Sequence, residues 1–251
     1  MIKNKKISLI IPCKNEEKSL PDLFKKIPGY VDEIIVIDNM STDKTFSVAK
    51  RLCKNAVKEK RQVKGIGYGF AHQKGLEIAK GDILVAMDGD GTYPPDKIKK
   101  IVNFMETYQL DFISCSRFPL NIKKSIPIVR QLGVHILNLE VRFLFGYKIK
   151  DILTGMWVLR KEAFVKMSFE NGDWNFSPEI KLAALINPEI NFAEYHIAHK
   201  FRIYDYSKQN IWSTGFKHCL YILQKRLKTK AKIFYFLNNI LAIYNAKQNS
   251  H

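Results

Sequence analysis

The chain has 251 residues, 46% of them apolar and 26% charged, enough to bury a full core and far from the compositions of disordered, collagen-like or coiled-coil chains. No run reaches about 18 uncharged apolar residues and the lysine-bearing N-terminus lacks a signal-peptide cleavage site, so neither a transmembrane helix nor a secretory leader is expected. The net charge of +17 calls for an anionic partner, while four dispersed cysteines (Cys13, Cys53, Cys115, Cys219) without C-x-x-C point to a reduced, cytoplasmic protein rather than a disulfide or zinc scaffold.

Taken in chain order, the first 115 residues alternate apolar runs with amphipathic ones. Ile7–Pro12, Glu33–Asp38, Asp82–Asp88 and Phe112–Cys115 are rich in Ile and Val and bounded by polar residues or Gly, which predicts buried strands. Helices are expected over Glu17–Lys26, Lys44–Lys54, Gly69–Ala79 and Pro95–Tyr108, with Asp43 suited to cap the second and Pro95 to the first turn of the fourth. This alternation implies βαβ units and a parallel sheet. Beyond Arg117 the pattern changes. Ser125–Phe145 is expected to be helical, with Ile128, Leu132, Ile136, Leu139 and Phe143 at helical spacing. A Gly turn and the short apolar strand MWVL follow within Asp151–Arg160, then a helix over Ser177–Leu185 and a strand within Ala193–Arg202. From Tyr206 to His251 there are eight Lys/Arg and no acid, and two amphipathic helices are expected, Ile211–Leu227 and Ile233–Tyr244. The division is therefore an α/β domain over 1–205 and a basic amphipathic tail over 206–251.

In an open parallel sheet, ligands bind beyond the carboxyl ends of the strands. There the first strand ends in P-C-K-N-E (Pro12 to Glu16), the second in D-N-M-S-T-D-K-T (Asp38 to Thr45), and the strand over Asp82–Asp88 in D-G-D-G-T-Y-P-P (Asp88 to Pro95). Glu16, Asp38, Asp88 and Asp90 are thus expected at one edge, where they repel one another unless a divalent cation or a set of sugar hydroxyls sits among them. D-G-D by itself fits a plain Asp-Gly turn. Directly after an apolar strand, and aligned with two other acidic strand ends, it fits Mg²⁺ or Mn²⁺ held by oxygen ligands with positions open for phosphate. Gly65, Gly67 and Gly69 match neither G-x-G-x-x-G nor the P-loop and read instead as a loop over a ligand. His196 and His199, on a strand, would point to opposite faces, so they read as ordinary histidines rather than a zinc pair.

With these motifs in order, residues 7–210 resemble the family 2 inverting glycosyltransferases, and most of all the dolichyl- and polyprenyl-phosphate mannose synthases. P-C-K-N-E resembles that family's P-x-Y-N-E, with Lys14 in place of the aromatic. D-N-M-S-T-D-K-T resembles its D-x-x-S-x-D-x-T, and Gly67…Ala71…Gly75…Ala79-Lys-Gly81-Asp82 the helix before its D-x-D. D-G-D-G-T-Y-P-P resembles the D-x-D segment itself, and D-I-L-T-G-M (Asp151 to Met156) the acceptor-side D-x-x-[ST]-G. The resemblance implies a GT-A fold, a Rossmann-like, mostly parallel sheet flanked by helices, with C-terminal amphipathic helices added. It implies that Pro12, Asn15, Glu16 and Asp38 hold the nucleoside. Asp88 and Asp90 would bind the metal and diphosphate, with Thr92 assisting. Arg117, Arg130 and Arg202, with Lys208, would meet phosphate. Asp151, Thr154, Gly155 and Glu179 would stand on the acceptor side.

The implied reaction transfers a hexose, with inversion, from GDP-mannose or a UDP-sugar to a polyprenyl-phosphate-type acceptor. A phosphate acceptor is already a nucleophile and needs no dedicated base, whereas a hydroxyl acceptor on a glycan or lipid would need one. A sugar-1-phosphate nucleotidyltransferase is disfavoured because its glycine-rich N-terminal loop is missing, and a nucleic-acid-binding role because four acids at one edge repel a phosphate backbone. The tail, with Lys217, Lys225, Arg226, Lys228, Lys230 and Lys232 beside two apolar faces, is expected either to dock on an anionic membrane surface and keep the protein peripheral to it, or to cap the domain or form a dimer contact.

Overall fold

The computed structural model describes residues 4–122, 125–204 and 209–229. Seven strands form one sheet: β1 (Ile7–Cys13), β2 (Glu33–Asp38), β3 (Asn55–Lys58), β4 (Ile83–Ala86), β5 (Phe112–Ser116), β6 (Trp157–Arg160) and β7 (Phe192–His196), in the order β3-β2-β1-β4-β6-β5-β7. Only β6 runs antiparallel, against β4 on one side and β5 on the other. The chain leaves β1 for β2 on one side and reaches β4 on the other, so the sheet's direction of winding switches between β1 and β4, where ligands bind in such sheets.

Side chains alternate across the sheet with the period of two that a strand imposes. Along β1, Ile7, Leu9, Ile11 and Cys13 enter one buried cluster and Ile10 the other. The first cluster is covered by α1 (Ser19–Phe24), α2 (Thr45–Leu52) and α4 (Ile98–Thr107), the second by α3 (Tyr68–Ile78), α6 (Lys161–Val165) and α7 (Phe176–Ile186). A third cluster joins α5 (Ile128–Phe145), α7 and α8 (Ile211–Lys228) through Leu137, Val141, Phe145, Leu182, Tyr221 and Ile222.

Asp43 satisfies the Thr45 N–H at 2.9 Å and so closes the start of α2, and Pro95 opens a 3₁₀ turn, Pro95–Lys97, that leads into α4. Three elements differ from the sequence expectation. The edge strand β3 and the short α6 are additional, and β7 stops at His196. Most telling is α5. Ile128, Leu132, Ile136, Leu139 and Phe143, whose spacing announces the helix, are all exposed, and its buried stripe is Val134, Leu137, Asn138, Val141 and Phe145. The second tail helix expected at Ile233–Tyr244 lies outside the described residues.

Helix α3 lies so close to β1 that a Cβ on Gly75 would collide with the Ile10 side chain, while Gly133 in α5 faces open space. Gly75→Ala is therefore expected to cost about 1–3 kcal/mol by overpacking, and Gly133→Ala to add about 0.5–1 kcal/mol by restricting the unfolded chain; urea unfolding of the two variants measures both signs. His72, fully buried on α3, is pushed down to about 4 by burial, against which its contact with the Tyr68 carbonyl acts only partly. An unfolded imidazole titrates near 6.5, so between these values the unfolded chain binds the extra proton and stability falls as pH drops from about 6.5 to 4. His72→Phe is expected to flatten that slope in thermal melts across the same pH range.

Candidate active site

Parallel pairing of β2, β1 and β4 brings their carboxyl ends to one edge, and with them Asp38, Glu16 and the Asp88–Asp90 loop. At the end of β2, Asp38 is 2% exposed and its Oδ1 finds no hydrogen-bond donor among the described residues. A buried carboxylate oxygen in that state is an acceptor suited to an N–H or O–H of a ligand. Pro12 is buried at the end of β1. Asn15 takes a left-handed conformation (φ 55°), accepts from the Thr42 N–H at 2.8 Å and stitches the first two strand ends together. Lys14, where the resembled motif has an aromatic, donates to the Gly65 carbonyl at 2.8 Å and ties the glycine-rich loop to the same edge.

Glu16 is 6% exposed and accepts from Ser19 Oγ at 2.9 Å. Its other oxygen meets Arg202 Nη2 at 2.6 Å, and the same guanidinium lies 3.4 Å from Asp90 Oδ2. Arg202 belongs to the segment leaving β7, which crosses the acidic edge. Along it the Lys200 N–H donates to the Thr92 carbonyl, and the Tyr204 hydroxyl donates to Asp22 at 2.9 Å. The positive charge that the acids require is thus supplied in part by the chain itself. Thr92 donates from its hydroxyl to Asp90 Oδ1 at 2.7 Å and sets that carboxylate's orientation.

Asp88 keeps part of its surface open, yet surrounding protein and the neighbouring Asp90 charge push its carboxyl up to about 7, against the pull of Arg117, Arg202 and Lys181. Two carboxylates so close that one resists ionisation form a site that favours a cation. Two carboxylate oxygen ligands side by side match the coordination habits of Mg²⁺ and Mn²⁺.

On the other side of Asp88 stands the segment from Asp151 to Gly155. A Cβ on Gly155 would collide with the Asp88 carboxylate, so any other residue there would displace that side chain. Tyr93 Oη accepts from the Gly155 N–H at 2.6 Å, and Thr154 Oγ1 donates to the Cys115 carbonyl at 2.6 Å. Asp151 is fully buried and grips Arg117 with both oxygens, at 2.6 Å to Nε and 2.8 Å to Nη2. Burial opposes the Arg117 charge, but Asp151 more than offsets this and holds the guanidinium protonated. Arg130, on α5, is disfavoured as a cation by burial, and further by the charges of Arg117 and Arg202. Glu179 stands differently. It is fully buried, and its carboxylate accepts from the N–H groups of Glu170 and Asn171 at 2.9 and 3.0 Å, anchoring the loop before α7. Lys208 lies outside the described residues. His196 meets the Pro119 carbonyl while His199 lies edge-on to Tyr93, so the two do not converge.

Sequence reasoning passed over Tyr93, Tyr68 and Lys181. The Tyr68 hydroxyl donates to Asp88 Oδ1 at 3.4 Å. Lys181, fully buried on α7, donates to the Thr154 and Ser177 carbonyls and to Ser177 Oγ, and burial lowers its ammonium to about 7. A lysine within the apolar helix FSPEIKLAALI was the available signal.

Comparison with known proteins identifies the family and the fold. Residues 8–167 match the model of the family described as Glycosyl transferase family 2. A dolichol-phosphate mannosyltransferase of Pyrococcus furiosus is 34% identical over 62% of this chain and 47% of its own length, so the chain spans about half of that relative. A UDP-N-acetylglucosamine–dolichyl-phosphate N-acetylglucosaminyltransferase of Methanococcus voltae is 29% identical over 66% of this chain and 73% of its own. Among solved structures, glucosyl-3-phosphoglycerate synthase from Mycobacterium tuberculosis, in complex with Mn²⁺, UDP and phosphoglyceric acid, superposes with a TM-score of 0.68 at 19% identity, covering 89% of this chain and 78% of that one, which marks a shared fold.

Replacing Asp151 by Asn leaves Arg117 buried without its counter-charge and is expected to cost about 3–5 kcal/mol of stability. Pairing it with Arg117→Met should recover much of the loss, since it is the stranded charge that destabilises; chemical denaturation of the single and double variants checks this.

Proposed function

The chain belongs to glycosyl transferase family 2, and we propose that it transfers a hexose, with inversion, from GDP-mannose or a UDP-sugar to a polyprenyl- or dolichyl-phosphate-type acceptor with the aid of Mg²⁺ or Mn²⁺. In this reading Pro12, Asn15, Glu16 and Asp38 serve the nucleoside, Asp38 through its unpartnered Oδ1. Asp88 and Asp90 would hold the metal against the diphosphate, and the metal would supply charge neutralisation of the leaving group. Thr92 and Tyr68 orient the two carboxylates.

The observation that supports the acceptor class is the positive charge around the D-x-D: Arg117 and Arg202 act on Asp88, and Arg130 feels the charges of both. Planar guanidinium groups suit phosphate oxygens, the Arg117 fork being already held by Asp151 so that it would act through its field, and a phosphate monoester can attack without surrendering a proton. The engagement of Glu179 by two backbone N–H groups agrees with a reaction that needs no side-chain base. The two curated relatives differ in the sugar they are named for and share dolichyl phosphate in their names, so the acceptor is the common element. No helix among the described residues is long and apolar enough to cross a membrane. We therefore read the protein as cytoplasmic and peripheral to the membrane that would hold its acceptor, with 1–205 as the catalytic domain and 206–251 as its basic extension.

EDTA is expected to abolish transfer to a short-chain, water-soluble prenyl phosphate, and Mg²⁺ or Mn²⁺ to restore it. Asp90→Ala should lower turnover by at least about a hundredfold while leaving the melting temperature unchanged, because the side chain serves charge rather than packing. The matching prenyl alcohol should not be glycosylated. Full activity in metal-free buffer, or equal use of alcohol and phosphate, would overturn the corresponding part of the proposal.

A further inference from the structure

Lys181 is a cation fully buried on α7, between Ile180 and Leu182, which enter two different apolar clusters. Its ammonium donates to the Thr154 carbonyl, to the Ser177 carbonyl at 2.9 Å and to Ser177 Oγ at 3.1 Å. That is one acceptor for each proton, and none of the three is a carboxylate. Ionised groups reach it only through space. Asp151 and Asp88 favour the ammonium, Arg117 opposes it, and the Cys115 thiol, His72 on α3 and His218 on α8 lie within range of its field. Burial outweighs the favourable charges and lowers the group to about 7. A methionine would fill much the same space without desolvating a charge. The reason for a lysine here therefore lies in what it holds.

It holds one peptide group. The Thr154 carbonyl and the Gly155 N–H belong to the same amide, and that N–H donates to Tyr93 Oη at 2.6 Å. Lys181 thus grips the amide at its oxygen from α7, while Tyr93 grips it at its hydrogen from the segment that carries Asp88 and Asp90. The amide cannot turn without breaking one contact or the other. The two also reinforce each other, since a cation on the oxygen polarises the amide and makes its N–H a better donor. On one side of this amide Gly155 is pressed against the Asp88 carboxylate; on the other the Thr154 hydroxyl is tied to the Cys115 carbonyl.

We infer that Lys181 is a positioning residue for the transfer: with Tyr93 it fixes the Thr154–Gly155 peptide in the orientation that sets the D-x-x-T-G segment against Asp88. This rests on the reading of D-x-D and D-x-x-T-G as the two sides of the transferase site. The ammonium touches no reacting group and works through the backbone it holds. A displacement of about 1 Å at such a wall can slow a reaction about a hundredfold, whereas the fold itself gains nothing from a desolvated charge. Lys181 therefore belongs with the groups that serve activity against stability.

The test compares Lys181→Met, Tyr93→Phe and the double variant with wild type, all as full chains. At pH 7 Lys181→Met is expected to melt no lower than wild type. Its advantage should shrink toward pH 10, because between about 7 and the ordinary lysine value the unfolded chain holds the extra proton and wild-type stability rises with pH. Affinity for GDP and UDP with Mn²⁺ should stay within about twofold, while kcat on the short prenyl phosphate falls at least about tenfold. Tyr93→Phe should also lower kcat, and the double variant should lie within about threefold of the poorer single one, since both break one restraint. A folded Lys181→Met with unchanged kcat, a variant that melts lower than wild type or fails to fold, or losses that multiply in the double variant would overturn the inference. Hydrogen exchange at the Gly155 amide, expected to quicken at least about tenfold in both single variants, reads the restraint without any substrate. If it quickens while wild type uses no prenyl phosphate, the acceptor reading falls and the restraint stands. If wild type uses prenyl phosphate and Lys181→Met changes neither exchange nor kcat, the acceptor reading stands and the role of Lys181 falls.

Discussion

Glu16, Asp38, Asp88 and Asp90 lie at the ends of adjacent parallel strands, and their negative charges can share that edge only if positive charge comes to them. The chain meets this constraint from a distance in sequence. Arg202 arrives from beyond β7, at the far end of the sheet, and reaches Glu16 and Asp90 together. Arg117 arrives from the end of β5 but is held by Asp151, so its field acts on Asp88 while its fork is occupied. Much of the molecule's arrangement follows. The segment after β7 must cross the edge, Asp151 must be buried opposite Arg117, and Gly155 must be bare if the Asp88 side chain is to keep its place.

The fold was largely legible because buried parallel strands write themselves as short Val/Ile-rich runs. β1, β2 and β5 fall within a residue of where those runs lie. β3 escaped because Asn55–Lys58 is an edge strand with two exposed ends, and so has no apolar run to show. The acidic strand ends were legible for a related reason: polar residues directly after a buried run have few structural explanations. What could not be read was pairing. Nothing in the spacing of Arg117 and Asp151, thirty-four positions apart, says that they meet, nor that Tyr93 takes the Gly155 N–H. Such contacts depend on β6 being inserted between β4 and β5, a topological fact that local patterning does not carry.

Helix α5 shows the opposite kind of miss. Periodicity identifies a helix and its apolar stripe but not which way the stripe looks. Here two stripes lie on one helix, and the more conspicuous is the outer one, because the inner stripe includes Asn138, a polar residue recruited to hold Lys150 and Ile152. Glu179 and Lys181 invert the rule again: charged residues on α7 that an amphipathic reading assigns to solvent are both fully buried, one gripping a loop and the other the Thr154 carbonyl.

The hydrogen bond from Gly155 to Tyr93, with Gly155 pressed against Asp88, has a thermodynamic corollary. The loop that bears the D-x-D and the loop that bears D-x-x-T-G touch directly. On the proposed assignment these loops would serve two binding events, and contact between them gives a route for one to affect the other. Whatever factor occupancy on one side imposes on affinity at the other, occupancy at the other must return in full, since the free energy of the doubly bound state does not depend on the order of arrival. On the proposed assignment, any coupling between the two halves of the site would thus pass through this junction and be reciprocal.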